Sequence, residues 1–192
     1  MNLEPTVVFV PGLRDHVADH WQTRLAAQIP GSRTVPPLGR GDLDCAARIE
    51  ALDRVVAEVD GPVALVAHSA GVVITGHWAQ RYRRRVHAAL LATPPDLESP
   101  LPDGHPGTEQ LRANGWIPIP RNRLDFPSIV AASTDDPLAR YERVAQFADD
   151  WGSHLVNLGP VGHLNPAAGY GEWPAGADLV AAMLHLGHTA NG

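Results

Sequence analysis

Val63-Ala64-Leu65-Val66-Ala67, followed by His68-Ser69-Ala70-Gly71 and by Val72 through Gln80, is the stretch that decides how the chain folds. Its first five residues are apolar without alternation, which predicts a short strand buried on both faces. The apolar spacing after Gly71, carried by Val72, Ile74, Trp78 and Ala79, predicts an amphipathic helix. Ser69 therefore falls on a sharp strand-to-helix turn. With small residues at Ala67, Ala70 and Gly71, the stretch has the form of a nucleophile elbow, whose tight turn strains the serine backbone and leaves no room for bulk beside it. Such a turn lifts the hydroxyl above the sheet edge. It also directs the Ala70 N–H toward the helix start, where developing negative charge is stabilised.

A serine hydroxyl alone is a weak nucleophile and needs a histidine base held by an acid. Working outward, Thr6 to Val10 is a β-branched apolar run ending in Pro11-Gly12-Leu13, which predicts a buried first strand. A helix is expected over about Asp19 to Gln28, with Trp21, Leu25 and Ile29 on one face. A weak strand near Arg33 to Val35 and a second helix over roughly Asp42 to Val59 lead into the elbow. Beyond it come a strand at His87 to Thr93 and a proline-rich segment from Pro94 to Pro127. A strand at Ser128 to Ser133, a helix carrying Tyr141, Val144 and Phe147, a strand at about His154 to Leu158 and a last helix from near Pro174 complete the chain. This alternation predicts one α/β domain over residues 1–192, with about six mostly parallel strands and helices on both faces. Sites in such sheets form beyond the carboxyl ends of the strands.

Two of those ends supply the missing groups. Asp136 follows Ala131-Ala132-Ser133-Thr134-Asp135 and precedes Pro137, and His163 lies in Val161-Gly162-His163-Leu164-Asn165-Pro166 after the last strand. Asp135 competes for the acid role, and Asp136 is preferred because the proline behind it fixes its position. Ser69, Asp136 and His163 then stand in the chain order Ser, Asp, His of an α/β-hydrolase. The N–H groups of Leu13 and Ala70 are the expected oxyanion donors. His20 and Trp21, near the oxyanion loop, are expected to border the substrate pocket. Trp116, with Ile117, Leu111 and Phe126, is expected either to wall a shallow apolar pocket or to pack the proline-rich segment onto the body.

These motifs resemble the small serine hydrolases of the retinoblastoma-binding protein 9 and YdeN type. The likeness runs through Phe9-Val10-Pro11-Gly12, His20-Trp21-Gln22, Ala67-His68-Ser69-Ala70-Gly71, Ala132-Ser133-Thr134-Asp135-Asp136-Pro137 and Gly162-His163-Leu164-Asn165. It implies a compact α/β-hydrolase fold without a full lid domain, Ser69 as nucleophile, Asp136 as acid and His163 as base. The implied activity is cleavage of small carboxylic esters, with thioesters and amides as alternatives, and with neither metal nor organic cofactor. Ala67 stands where the common elbow has glycine. The Leu-x-Cys-x-Glu segment through which the mammalian relative engages a pocket protein is absent, so that partner is not expected.

The partner that the resemblance implies is a small-molecule acyl substrate, and charge argues against nucleic acid. The chain has 192 residues, 44% hydrophobic, and a formal charge of −6, with no basic footprint for nucleic acid. Arg81, Arg83, Arg84 and Arg85 read as a solvated helix end. Cys45 is the single cysteine, which excludes an internal disulfide. Met1-Asn2-Leu3-Glu4-Pro5 lacks the features of a signal peptide and no stretch is long enough to span a membrane, so a soluble, cytoplasmic protein is expected. Two rival readings exist. His16 and His20 stand at helical spacing with Asp19 between them, and a third ligand from His163 or His77 would make a metal site. A hydrolase fold can also serve as a non-catalytic binding module.

Overall fold

The computed structural model describes residues 4–13, 17–39 and 41–190, with side chains as far as residue 188. Met1 to Leu3 of the leader argument and His16 of the metal argument lie outside the described residues. Six strands form one sheet in the order β2-β1-β3-β4-β5-β6, and every neighbouring pair is parallel. They are β1 Thr6–Val10, β2 Arg33–Thr34, β3 Val63–His68, β4 Val86–Ala92, β5 Ser128–Ala132 and β6 His154–Asn157. The helices are α1 Trp21–Gln28, α2 Cys45–Ala57, α3 Ala70–Arg81, α4 Thr108–Ala113, α5 Tyr141–Trp151 and α6 Pro174–Ala190.

Strand alternation divides the core into two layers. Val8, Val10, Leu65, Ala67, Leu91 and Val130 face the side covered by α2, α3 and α5. Their neighbours Val7, Phe9, Val66, Leu90 and Ile129 face the side covered by α1 and α6. Both faces of the central strands are dry, which is why β3 and β4 read as unbroken apolar runs. After β1 the chain crosses to β2 on one side, and after β2 it returns to β3 on the other. The winding therefore reverses between β1 and β3, and the crevice beyond their carboxyl ends is where such sheets bind ligands.

Local chemistry sets the helix starts. Helix α1 begins at Trp21 rather than Asp19, because the His20 side chain accepts from the Gln22 N–H and caps it. Helix α2 begins at Cys45 rather than Asp42, because Asp44 Oδ1 accepts from Ala47 N–H. The proline-rich segment between β4 and β5 contains no lid domain, yet it holds one unexpected helix, α4. Leu111 on α4 is fully buried, and the Leu111 carbonyl accepts from Trp116 N–H, closing the segment on itself.

Three of the four arginines at the end of the elbow helix are paired. Arg81 reaches Glu50, Arg83 reaches Asp125, and Arg84 binds Asp53 at 2.8 Å. The Arg84 guanidinium holds the Asp53 carboxyl below its usual range. Burial pushes the Cys45 thiol up to about 12, so it sits in the core as a small hydrophobe. No described helix is long and apolar enough to cross a membrane.

Candidate active site

Ser69 occupies the junction of β3 and α3 with φ 57° and ψ −132°, a region that L-residues rarely adopt. The turn is held from both sides. Ser69 N–H donates to the Ala92 carbonyl at the end of β4, and the Ser69 carbonyl accepts from Val72 N–H. Gly71 explains the small residues of the motif, because a Cβ there would lie 2.2 Å from the Val10 carbonyl oxygen and 2.8 Å from that of Pro11. Both obstacles are backbone and cannot swing aside. Gly12 is similarly confined, since its Cβ would meet Ser69 Cβ at 3.0 Å and Oγ at 3.3 Å. The loop after β1 thus touches the serine itself.

His163 stands across from Ser69, with its Nε2 2.8 Å from Oγ. Its Nδ1 lies 2.8 Å from Asp136 Oδ2 and 3.0 Å from Oδ1. A carboxylate can only accept, so Nδ1 carries the proton and donates to Asp136, which leaves Nε2 free to accept from the serine hydroxyl. The Asp136 side chain is 2% exposed and that of His163 8%. Asp136 Oδ1 also accepts from Leu138 N–H at 2.8 Å, so one carboxylate orients the imidazole and fixes its own turn. Asp135, the competing acid, is not on the ring. Its Oδ1 accepts from Gly162 N–H at 2.7 Å and from Ser133 Oγ at 2.9 Å, which pins the backbone just before the histidine.

A second histidine secures the same loop. His68, the last residue of β3, is buried and donates from Nε2 to the His163 carbonyl at 2.9 Å. Burial, with His163 and His20 nearby, holds His68 well below its ordinary pKa. It therefore stays neutral, and its ring lies between those of His20 and His163, with centroids 4.7 and 5.1 Å away. In the sequence His68 reads only as a packed neighbour of the elbow. Its bond to a residue 95 positions later leaves no local signal.

Leu13 and Ala70 both line the cleft above Ser69, and Ala70 is the first residue of α3, where an N–H has no intrahelical acceptor. The cleft encloses about 980 Å³. His20 lines it. Trp21 does not, because it is turned into the core against Trp173 and donates from Nε1 to the Leu164 carbonyl at 3.0 Å. Leu164 has φ 50° directly after His163, so Trp21 braces the histidine loop from behind. Trp116 is also absent from the cleft. It is fully buried, and its Nε1 donates to the Leu43 carbonyl at 2.7 Å, packing the proline-rich segment onto the body. The walls come instead from Leu43, Leu97, Leu101, Pro106 and Leu138, none of which stands in a recognisable motif.

The described histidines of the metal argument are used otherwise. His20 caps α1, and His77 is packed with its Nε2 against the Trp116 carbonyl at 3.1 Å. His185 and His188 lie exposed on α6, where His188 packs on His87. Among the described residues no three His, Cys, Asp or Glu side chains form a cluster that could hold a metal ion.

Comparison with known proteins speaks to the family and the fold. Residues 7–182 match the family described as serine hydrolase. A protein described as a YdeN-like hydrolase, from Pectobacterium atrosepticum, is 26% identical with a TM-score of 0.82, over 96% of this chain and 92% of its own. The ydeN gene product of B. subtilis is 15% identical with a TM-score of 0.74, over 94% of this chain and 99% of its own. Est1E of Butyrivibrio proteoclasticus, solved with ferulic acid bound, is 14% identical with a TM-score of 0.69, over 96% and 89%. The last two likenesses speak to the fold. No curated protein matches the chain.

Proposed function

The chain belongs to the serine hydrolase family, as a compact YdeN-type enzyme of the α/β-hydrolase fold, and from that premise we propose that it cleaves carboxylic esters through an acyl-enzyme on Ser69. One observation carries the reading. Asp136, His163 and Ser69 form an unbroken hydrogen-bonded line, 2.8 Å to the imidazole and 2.8 Å on to the hydroxyl, at the floor of a cleft. A binding module has no physical need for that line.

In the proposed reaction His163 Nε2 takes the hydroxyl proton as Ser69 Oγ attacks the ester carbonyl carbon. The oxyanion so formed faces the N–H groups of Ala70 and Leu13, each donor contributing on the order of 3 kcal/mol to the transition state. Collapse of the tetrahedral adduct breaks the bond to the alcohol oxygen, and His163 returns its proton to that leaving group. Water then attacks the acyl-serine with His163 as base, releasing the acid and restoring Ser69. Asp136 stays ionised throughout and stabilises the imidazolium. Every proton is moved by groups of the chain or by water.

The test is labelling of the purified protein with a fluorophosphonate, read by intact mass. One adduct is expected on the wild type with and without chelator, and none on Ser69→Ala or His163→Ala. Folded wild type that forms no adduct would overturn the proposal in favour of a non-catalytic role.

A further inference from the structure

Resting on ester cleavage at Ser69, we propose that the acyl group of the substrate lies against the wall formed by Leu97 and Leu101, and that Glu98 is the positioning residue that holds this wall. The other substituents of the reacting carbon are already placed. The oxyanion faces the N–H groups of Leu13 and Ala70, and the alcohol oxygen must lie toward His163, which returns the proton to it. The His163 loop packs on the layer of α1 and α6 through Leu164 and Trp21. Leu97 and Leu101 belong to the layer of α2, α3 and α5, and both line the cleft. The acyl group therefore falls on the apolar side opposite the histidine.

Glu98 builds that side from a segment with little regular structure. In Pro95-Asp96-Leu97-Glu98 the alternate residues Pro95 and Leu97 line the cleft, while the two acids reach Arg143 on α5. Glu98 Oε1 accepts from Ile119 N–H at 2.9 Å, and Oε2 accepts from Arg121 at 2.7 Å and from Arg143. Arg121 also reaches Asp150 on α5 at 3.0 Å, and both guanidiniums rest over the Phe147 ring, 4.3 and 5.1 Å from its centroid. One carboxylate thus ties residues 98 and 119 of the connection to a single helix. The Glu98 side chain is 26% exposed, and those of Arg121 and Arg143 are 29% and 28%, so these ions act as a partly shielded network rather than as isolated surface pairs.

The catalytic turn has its own support. Asp96 N–H donates to the Leu138 carbonyl at 2.9 Å, and Leu138 N–H donates to Asp136 Oδ1. Neither bond uses the Glu98 side chain. Loss of its carboxylate frees the stretch from Leu97 to Leu101 and leaves Asp136, His163 and Ser69 in line. The effect then falls on binding of the acyl chain rather than on proton transfer.

The experiment measures kcat and KM for p-nitrophenyl acetate and p-nitrophenyl hexanoate, alongside fluorophosphonate labelling of each preparation. Wild type is expected to favour hexanoate in kcat/KM by at least about tenfold, as added methylenes gain an apolar wall. Glu98→Ala is expected to cut that preference about fivefold or more through a raised KM for hexanoate, with acetate within about twofold of wild type. Glu98→Gln keeps an acceptor for Ile119 N–H without the charge and is expected to fall between the two, so it carries the test should the alanine variant fold poorly. Leu101→Ala is expected to cut the preference likewise, and adding Glu98→Ala to it to cost less than about twofold more, because both act on one wall. Arg84→Ala, which breaks the ion pair between the end of α3 and Asp53 of α2, is expected to leave the preference unchanged. Several results, from protein that labels on Ser69, would overturn this inference and leave the proposed function standing: no preference in wild type, an unchanged preference in both Glu98 variants, equal losses for the two esters, full multiplication with Leu101→Ala, or the same change in Arg84→Ala. Absence of both turnover and label would overturn the proposed function, and the acyl wall with it.

Discussion

The elbow, residues 63–81, and the connection from β4 to β5, residues 93–127, both face the cleft, but different forces shape them. The elbow is shaped by steric exclusion between backbones. Two dry strands and the carbonyls of Val10 and Pro11 leave Gly71 no alternative, and Ser69 is driven to φ 57°. The connection has little regular structure and is shaped by side-chain anchors: Trp116 to Leu43, Arg121 and Arg143 to Glu98, and Ile117 and Ile119 buried in the core. The site takes its serine from the first region and part of its shape from the second. His77 joins them, donating from α3 to the Trp116 carbonyl.

The sharpest way to break this contrast is Trp116→Ala. If long-range packing builds the connection, removing a fully buried indole should cost about 4 kcal/mol of stability, measured by urea unfolding. Turnover of a short ester such as p-nitrophenyl acetate should survive in the folded fraction. A loss near 1 kcal/mol would mean that the segment holds its form without the anchor.

Gly71→Ala tests the other side, and here two physical effects predict opposite signs. Helix propensity alone favours alanine by up to about 1 kcal/mol. The clash with Val10 oxygen predicts instead a loss of about 3 kcal/mol together with loss of fluorophosphonate labelling. Stabilisation with labelling intact would show that the elbow is not sterically determined.

A smaller effect comes from acid. Burial holds His68 well below its usual pKa and lowers that of His77 in the same direction. The unfolded chain therefore binds more protons than the folded one below about pH 6.5, and stability present above that pH is lost as pH falls. His68 alone should contribute a slope of up to about 1.4 kcal/mol per pH unit there, which His68→Gln should remove. An unchanged slope in that variant would place the acid sensitivity elsewhere.

Legibility in the sequence followed the same division. The elbow strand was readable because burial on both faces leaves an unbroken apolar run, and the helix after it because its apolar spacing persists. Asp136 and His163 were readable because each follows a strand end, where parallel sheets gather their sites. Their hydrogen bonds to each other and to Ser69 are tertiary facts. Trp21 reads as a pocket residue by its nearness to the oxyanion loop, and Trp116 reads equally as a pocket wall or as packing for its segment. The structure turns both inward, where the indole N–H finds a backbone carbonyl. Asp135 left a trace in the acidic doublet, whereas Leu97 and Leu101 left none, since a proline-rich segment has no period to betray which side chains face inward.

The sequence by itself determined the parallel α/β sheet, the strained serine turn and the strand ends at which an acid and a base stand. These depend on period, steric bulk and chain order, all of which are written locally. The tertiary structure alone decided that His68 steadies the His163 loop, that Asp135 holds Gly162, and that Leu97 and Leu101 turn toward the cleft. Each of those rests on hydrogen bonds or packing between residues distant in sequence, and no local pattern specifies which distant partner will satisfy a buried group.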